Sequence, residues 1–133
     1  MLEVFVTEYR AEDISFELDL SRPLYEQVTE QMRQSIARGG LETGSRIPSI
    51  RELAQHLKVN PNTVMRSYQE LERDGLIETR IGQGTYVTAS EDKVKAVRRS
   101  LARLAAEEYA QTMRKLGLDL KDARVLLEEA DWQ

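Results

Sequence analysis

The sequence predicts a mostly α-helical fold, in which three helices and one β-hairpin form a domain that is followed by a short two-helix unit. Two observations support this prediction. Apolar residues repeat every three or four positions in several long segments, as they do on the buried face of a helix. Two short β-type segments flank Gly82 and Gly84, as the strands of a hairpin flank its turn.

The composition restricts the class of protein before any motif is considered. With 133 residues, 41% of them hydrophobic, the chain is long enough for one packed domain and an appendage. It has no cysteine and a single histidine, His56, so we expect neither a metal site nor a cofactor. No apolar run approaches the about 20 residues that span a bilayer, and the first residues show no signal-peptide pattern. We therefore expect a cytoplasmic protein without membrane association.

The net charge of −4 argues against a nucleic-acid partner only until its distribution is considered. Residues 1–21 hold one basic and six acidic residues, residues 22–88 hold nine basic and eight acidic, and residues 89–133 hold nine of each. Phosphate binding depends on the local placement of Lys and Arg, not on the sum over the chain. The acidity lies in the N-terminal segment, so the central segment remains compatible with a DNA partner.

The N-terminal segment, residues 1–20, is interpreted as an arm or a strand. Apolar and polar residues alternate in its second half, which is typical of a half-buried strand. The apolar positions are Ile14, Phe16, Leu18 and Leu20. The first dozen residues fit either a loose tail or an additional strand.

The first helix of the domain is predicted from about Pro23 to Arg38. Proline suits the first turn, where its missing N–H is not needed, and Gly39-Gly40 suits a C-terminal stop. The predicted buried stripe consists of Leu24, Val28, Met32 and Ile36. A turn-rich connection, LETGSRIPS, is expected to follow.

The second helix is predicted to begin at Ser49 and to end near Leu57, with Glu52 at the spacing of a capping box. A three-residue turn leads to the third helix, from Pro61 to about Asp74, with an asparagine as its N-cap and a glycine as its stop. Two short strands, LIETR and TYVT, then surround the turn IGQG. This order is that of a winged helix-turn-helix, which we place at residues 21–88.

The outer face of the third helix is the candidate for contacts with DNA bases. The residues opposite its apolar side on a helical wheel are Asn62, Arg66, Gln69 and Arg73. Arginine can bond guanine, and asparagine or glutamine can bond adenine, in the major groove. The N-terminal half of such a helix usually enters the groove, so we expect base contacts from Asn62, Thr63 and Arg66. The alternative is an ordinary amphipathic helix with a solvated polar face.

Arg51 is the candidate for a phosphate contact from the second helix. It lies in the first turn, where the N–H groups of the helix start can assist in binding an anion. The alternative is a surface arginine that pairs with a nearby carboxylate.

The hairpin tip at residues 80–85 is interpreted as a wing that touches the minor groove or the adjacent phosphates. Arg80, Gln83 and Thr85 supply hydrogen-bond donors there. Gly82 and Gly84 permit positive φ angles and a close approach of the main chain to another molecule. The alternative is a tight turn without a binding role.

Four segments together carry a family resemblance: PSIRELA at 48–54, VNPNTV at 59–64, ERDGL at 72–76 and GQGTYV at 82–87. In this combination they resemble the DNA-binding domain of the GntR family of repressors, over about Leu24 to Thr88. The resemblance implies a winged helix-turn-helix protein that dimerises and reads a near-palindromic operator. It also implies DNA contacts from Arg51, from the start of the third helix including Asn60, from Arg66 and from the wing glycines.

Two positions depart from the common pattern of this family. Many members carry an arginine where this chain has Pro61 and a basic residue where it has Met65, so no base contact is carried over there. The VNPNTV variant resembles the YtrA subfamily instead. The short tail does so as well, because most family members carry a much larger C-terminal effector domain than the 45 residues that follow Thr88 here.

The C-terminal segment, residues 89–133, is interpreted as a helical dimerisation or effector region. Its first apolar stripe consists of Val94, Val97, Leu101, Leu104 and Ala105, and its second consists of Leu120, Ala123, Leu127 and Ala130. Gly117 separates the two stripes. Two helices alone bury little apolar area, so we expect them to pack on a second copy of the chain. The region looks too small for an enclosed metabolite pocket, and whether a small-molecule effector exists is left open.

The sequence therefore predicts a homodimeric, sequence-specific transcription regulator that binds double-stranded DNA and acts as a repressor. The alternative is a winged-helix protein-interaction module without specific DNA binding, which the acidic net charge favours. We do not expect an enzyme, because no nucleophile can be paired with a base and no phosphate loop is present. His56 is expected to be exposed to solvent on the second helix.

Overall fold

The computed structural model of the chain describes residues 6–11 and 14–133. Its elements, in chain order, are β1 (Val6–Ala11), β2 (Ile14–Asp19), α1 (Leu24–Ala37), β3 (Arg46–Ile47), α2 (Ile50–Leu57), α3 (Pro61–Arg73), β4 (Ile77–Arg80), β5 (Gly84–Val87), α4 (Glu91–Lys115) and α5 (Leu120–Glu129). They form two compact units, one that extends to Arg98 and one from Arg99 to Gln133. The predicted mostly helical fold with a winged helix-turn-helix is confirmed.

The core of the first unit lies where α1, α2, α3 and the sheets meet, and α3 packs on both α1 and α2. Fully buried side chains come from each of these elements, among them Phe16, Met32, Ile47, Leu53, Leu71 and Leu76. The hydroxyl of Tyr68, on α3, donates a hydrogen bond of 2.6 Å to the carbonyl oxygen of Pro48. This bond fixes the middle of α3 against the start of α2.

Side-chain caps set the starts of α2 and α3, as the sequence predicted, but the capping box expected at α2 is only half formed, since no bond joins the Ser49 N–H to the Glu52 side chain. The Ser49 hydroxyl oxygen accepts a hydrogen bond of 3.1 Å from the main-chain N–H of Glu52. The Asn60 side-chain oxygen accepts one of 2.8 Å from the N–H of Asn62. Between these caps, Lys58 adopts a left-handed conformation with φ 55°, which ends α2 and turns the chain into α3.

The wing is a three-stranded sheet, and its third strand was not predicted. β3 pairs with β5, and β5 pairs with β4, so that β5 lies in the centre. The segment LETGSRIPS was expected to be a turn-rich connection throughout, which is wrong at Arg46 and Ile47. A two-residue strand shows no periodicity, and its pairing depends on residues far along the chain. The pairing buries Ile47 in the core.

The N-terminal segment forms a second, two-stranded antiparallel sheet, with β1 paired to β2. Ile14, Phe16 and Leu18 are buried, as their alternation predicted. Leu20 is 55% exposed, so the prediction that it continues the buried stripe is wrong. The strand ends at Asp19, whose carboxylate accepts hydrogen bonds from the N–H and hydroxyl of Ser21 and thereby turns the chain. The same two bonds hold the pKa of the Asp19 carboxyl below its ordinary value.

Two glutamines of α1, one helical turn apart, cover the edge of β2 that faces away from β1. The Gln27 amide accepts from the N–H of Asp19 and donates to its carbonyl oxygen, with both distances 2.7 Å. The Gln31 amide makes the same pair of bonds with Glu17, at 2.8 and 2.6 Å. Each amide thus takes the place of a residue of a neighbouring strand, which satisfies main-chain groups that an open edge would leave unpaired.

The first turns of α4 belong to the first unit. Val94 is buried in its core, and the Arg98 Nε donates a hydrogen bond of 2.6 Å to the carbonyl oxygen of Ala37 at the end of α1. The compact unit therefore continues ten residues beyond Thr88, where we expected the DNA-binding domain to end.

The second unit holds the rest of α4 and α5, which are separated by a turn at Gly117, where φ is +78°. A capping box between Asp119 and Asp122 starts α5, and its hydrogen bonds hold the pKa of the Asp119 carboxyl below its ordinary value. Within residues 99–133, all of which the structure describes, Ala123 alone is buried. This unit has almost no core of its own.

We predict that Gln27→Glu lowers the free energy of unfolding by about 2–4 kcal/mol at neutral pH. Gln27 is 3% exposed, and its N–H₂ group donates to three carbonyl oxygens, so a carboxylate there would be buried against acceptors. Urea denaturation measures the change, and the deficit should shrink on acidification because a protonated carboxyl can again donate. Gln34→Glu, at an exposed position of the same helix, is the control. Equal stability of the two variants would contradict the role of the amide.

Candidate nucleic-acid interface

The exposed face of α3 is the surface that the sequence predicted. Val64, Ser67, Tyr68 and Leu71 are buried, and the exposed residues include Asn62, Arg66, Gln69 and Arg73, together with Met65 and Glu72. The amide and guanidinium groups among them match the donor and acceptor pattern of base edges. The helix therefore presents a largely polar surface opposite its buried side.

Three residues at the start of α3 are candidates for DNA contacts, and they differ in exposure and in hydrogen bonding. The side-chain oxygen of Asn60 is engaged in capping, so its amide N–H₂ is the part left for another molecule. Asn62 is exposed and Thr63 is half-buried. The N-cap fixes the main chain at this end, so the position of Asn62 relative to the helix axis is set locally.

Arg66 stacks on an aromatic ring that the sequence reasoning missed. Its guanidinium carbon lies 3.6 Å from the ring centroid of Tyr25, in the first turn of α1. Arg66 nevertheless remains an exposed residue. The helical wheel places Arg66 on the outer face of α3, but it contains no information about the neighbouring helix that supplies the ring.

Arg51 is exposed in the first turn of α2, as expected. Among residues 14–133 no carboxylate lies within ion-pair distance of it, so the alternative of a paired surface arginine is not observed in that range. His56 is also exposed, on the same helix.

The outer face of the wing carries two arginines and a tyrosine. The Arg80 guanidinium lies 4.1 Å from the ring centroid of Tyr86 and donates a hydrogen bond of 2.7 Å to Glu78. Arg46, on β3, lies on the same face, and its guanidinium group lies beside Gly84. Sequence reasoning missed Arg46 because β3 itself was not predicted.

Thr85 faces inward, so its side chain is not placed to donate the hydrogen bond to a phosphate that was expected from the sequence. Side chains alternate along β5, so Thr85 and Val87 share the core face of the wing, and Thr85 is only 7% exposed. Its main chain lies in the central strand, between β3 and β4. Of the three wing donors that the sequence predicted, Arg80 and Gln83 remain exposed.

The tip of the wing is open to solvent. Gly82 has φ +75° and Gly84 has φ +121°, so both use the conformational freedom that was predicted for them. Ile81 is 98% exposed between Arg80 and Gly82, a feature that the sequence analysis did not single out.

No helix of the described residues is long and apolar enough to cross a membrane. Nor does the described part of the chain bring three or more His, Cys, Asp or Glu side chains together in a way that could hold a metal ion.

Comparisons with known proteins agree on one family. The profile "Bacterial regulatory proteins, gntR family" matches residues 24–87. The chain is 41% identical over 98 residues to the HTH-type transcriptional regulator YhcF of Bacillus subtilis, which covers 74% of this chain and 81% of the relative. It is 40% identical over 95 residues to the HTH-type transcriptional repressor YtrA of the same organism, covering 67% and 73% of the two chains. A GntR family transcriptional regulator from Listeria monocytogenes superposes with a TM-score of 0.81 at 32% identity, covering 86% of this chain and 100% of that one.

We predict that Gly84→Ala destabilises the wing more than Gly82→Ala does. Gly82 has a left-handed conformation with nothing within 4 Å of an added Cβ, so alanine should cost about 1 kcal/mol. At Gly84, φ +121° is poorly accessible to other residues, and the Cβ would lie 3.0 Å from the Arg46 Nε, so about 2–3 kcal/mol is expected. Chemical denaturation of both variants measures the difference. Equal losses would show that the backbone of the wing relaxes at Gly84.

Proposed function

Since this chain belongs to the GntR family, and within it to the YtrA-like subfamily, we propose that it represses transcription as a homodimer that binds a near-palindromic DNA operator. The family consists of transcription regulators with a DNA-binding winged helix, and this chain is one of them. The proposal goes beyond family membership in three respects: that DNA binding is sequence-specific, that the chain is a homodimer and that it represses transcription. The observation that carries it is the polar face of α3, which stays exposed while the opposite face is buried.

Base contacts are assigned to Asn62, Thr63 and Arg66. In a helix-turn-helix the second helix enters the major groove with its N-terminal residues foremost, and these three residues lie in the first half of α3. Arg73 lies in the last turn, beside the exposed carboxylate of Glu72, and is less suited to approach the DNA backbone.

Phosphate contacts are assigned to Arg51 and to the wing. Arg51 is exposed and forms no ion pair with a carboxylate among residues 14–133. Arg80, Gln83 and the glycine main chain form the exposed tip of the wing. Such contacts position the domain on the duplex, whereas the contacts from α3 select the sequence.

Dimerisation is assigned to the second unit, through an apolar groove between α4 and α5. The groove has a volume of about 910 Å³, and its lining includes Ala106, Tyr109, Met113, Leu118, Leu127 and Trp132. A two-helix unit that buries Ala123 alone has too little apolar burial to be stable by itself. A second copy covers the same face in both protomers by two-fold symmetry, and it would place two winged domains on the two halves of a palindrome.

Repression is supported by the name of one relative. The Bacillus subtilis protein YtrA, 40% identical to this chain, is described as a repressor. In the proposed division of this chain, residues 21–88 bind DNA, and the dimer interface lies in the part of the C-terminal segment 89–133 that forms the second unit. A dimer on an operator would act by excluding other proteins from the DNA.

We predict that Arg66→Ala weakens binding to a selected operator by about 1–3 kcal/mol and relaxes its preference at one base pair. The duplex is obtained by selection from a random library with the full chain, and affinity is measured by fluorescence anisotropy. Arg51→Ala is the matched variant, since losing a phosphate contact should weaken all duplexes alike and reduce the salt slope by about 1. Lys121→Ala, an equal charge change in the second unit, should have little effect. If Arg66→Ala bound the selected duplex as the wild type does, the assignment of α3 as the reading helix would be wrong.

We predict that the chain is a dimer at micromolar concentration and that Leu127→Glu makes it monomeric. Leu127 lines the groove, so a carboxylate there would be buried in the interface. Light scattering gives the mass. Trp132, the single tryptophan, is 78% exposed in the isolated chain, so its emission should shift to the red when the dimer dissociates. Glu129→Lys, at an exposed position of α5, is the control. A monomeric mass for the wild-type chain would refute the proposed dimer.

A further inference from the structure

The stacked pair of Tyr25 and Arg66 links α1 to the reading face of α3. The guanidinium carbon of Arg66 lies 3.6 Å from the centroid of the Tyr25 ring, which is a close cation–π contact. Tyr25 lies in the first turn of α1 and is only partly exposed. A side chain outside the helix-turn-helix pair is therefore in direct contact with a side chain of its second helix.

The position of Tyr25 is itself fixed by α3. The carbonyl oxygen of Tyr25 accepts a hydrogen bond of 2.8 Å from the hydroxyl of Ser67 and another of 2.7 Å from the hydroxyl of Thr29. Ser67 and Thr29 are 0% and 2% exposed, so neither hydroxyl has water as an alternative partner. Ser67 directly follows Arg66, so α1 is bound to α3 at the residue next to the arginine.

Stacking leaves the hydrogen-bond donors of Arg66 available. A guanidinium that lies flat on a ring uses its face for the contact, while its N–H groups point outward in its plane. No described residue accepts a hydrogen bond from Arg66 or pairs with it. Arg80 differs, because it also stacks on a tyrosine but donates one of its N–H groups to Glu78.

We propose that Tyr25 is a positioning residue for base recognition, and that its ring holds the Arg66 guanidinium in the orientation that reads a base edge. The inference rests on the proposed function, since it requires that Arg66 contacts a base. An unsupported arginine loses much side-chain freedom when it makes a two-bond contact with a base. Because Arg66 is already stacked on the Tyr25 ring, it has lost part of that freedom before DNA binds. Ordering the side chain in the complex therefore costs less binding free energy.

The test uses the full chain and the duplex that the wild-type chain selects from a random library. Tyr25→Leu removes the ring and should lower affinity for this duplex by about three- to tenfold. Tyr25→Phe keeps the ring and should restore affinity to within about twofold of wild type. The main-chain bonds to Ser67 and Thr29 are retained in both variants, and urea denaturation checks that both fold.

A double-mutant cycle separates positioning from a direct contact. In the Arg66→Ala background, Tyr25→Leu should cause no further loss, because the group it positions is gone. Tyr86→Leu, which removes the ring under Arg80, is the matched control, and its effect should add to that of Arg66→Ala. Tyr25→Leu should also reduce discrimination at the same base pair that Arg66→Ala no longer distinguishes.

Three kinds of result would overturn the proposal. An additive loss in the double variant, or a Tyr25→Phe variant as weak as Tyr25→Leu, would show that Tyr25 contacts DNA itself. A gain of affinity in Tyr25→Leu would show that the ring keeps Arg66 away from DNA. Unchanged binding in Tyr25→Leu would show that the stack has no role. Failure of the proposed function is distinct from all three, since the wild-type chain would then select no duplex.

Discussion

The packing of α3 against α1 and α2 decides which of its side chains can reach another molecule. Val64, Tyr68 and Leu71 are buried on one side, and the Tyr68 hydroxyl is bonded to the main chain at the start of α2. With that side fixed, the helix cannot rotate, and its polar residues must face outward. The wing and the first turn of α1 then flank a surface whose orientation is already set.

In the wing, the alternation of side chains along each strand decides which of them face the core and which face outward. Ile47, Thr85 and Val87 turn toward the core, and they hold the sheet on the helices. Arg80 and Arg46 lie on the other face, and Tyr86 supplies a ring for one of them. The Thr85 side chain is therefore buried, and the groups exposed on the outer face include the guanidinium groups of Arg46 and Arg80. Gly82 lies in the turn at the tip, and Gly84 directly follows that turn.

The two units of the chain differ in how much of their apolar surface they bury. The first unit closes its core with side chains from α1, α2, α3, the first turns of α4 and two small sheets, and Gln27 and Gln31 complete the edge of β2. The second unit leaves a groove of apolar side chains exposed. In the proposed function, a second copy of the chain covers this groove.

The sequence by itself determined the helices, the starts of α2 and α3 and the exposed polar face of α3, because these depend on residues within one or two turns of each other. Ser49, Asn60 and the apolar repeat of α3 are local signals, and the structure agrees with them. Only the tertiary structure decided the pairing of β3 with β5, the inward turn of Thr85 and the stack of Arg66 on Tyr25. Each of these depends on contacts between segments far apart along the chain. A two-residue strand or a single aromatic neighbour leaves no periodic pattern in the sequence.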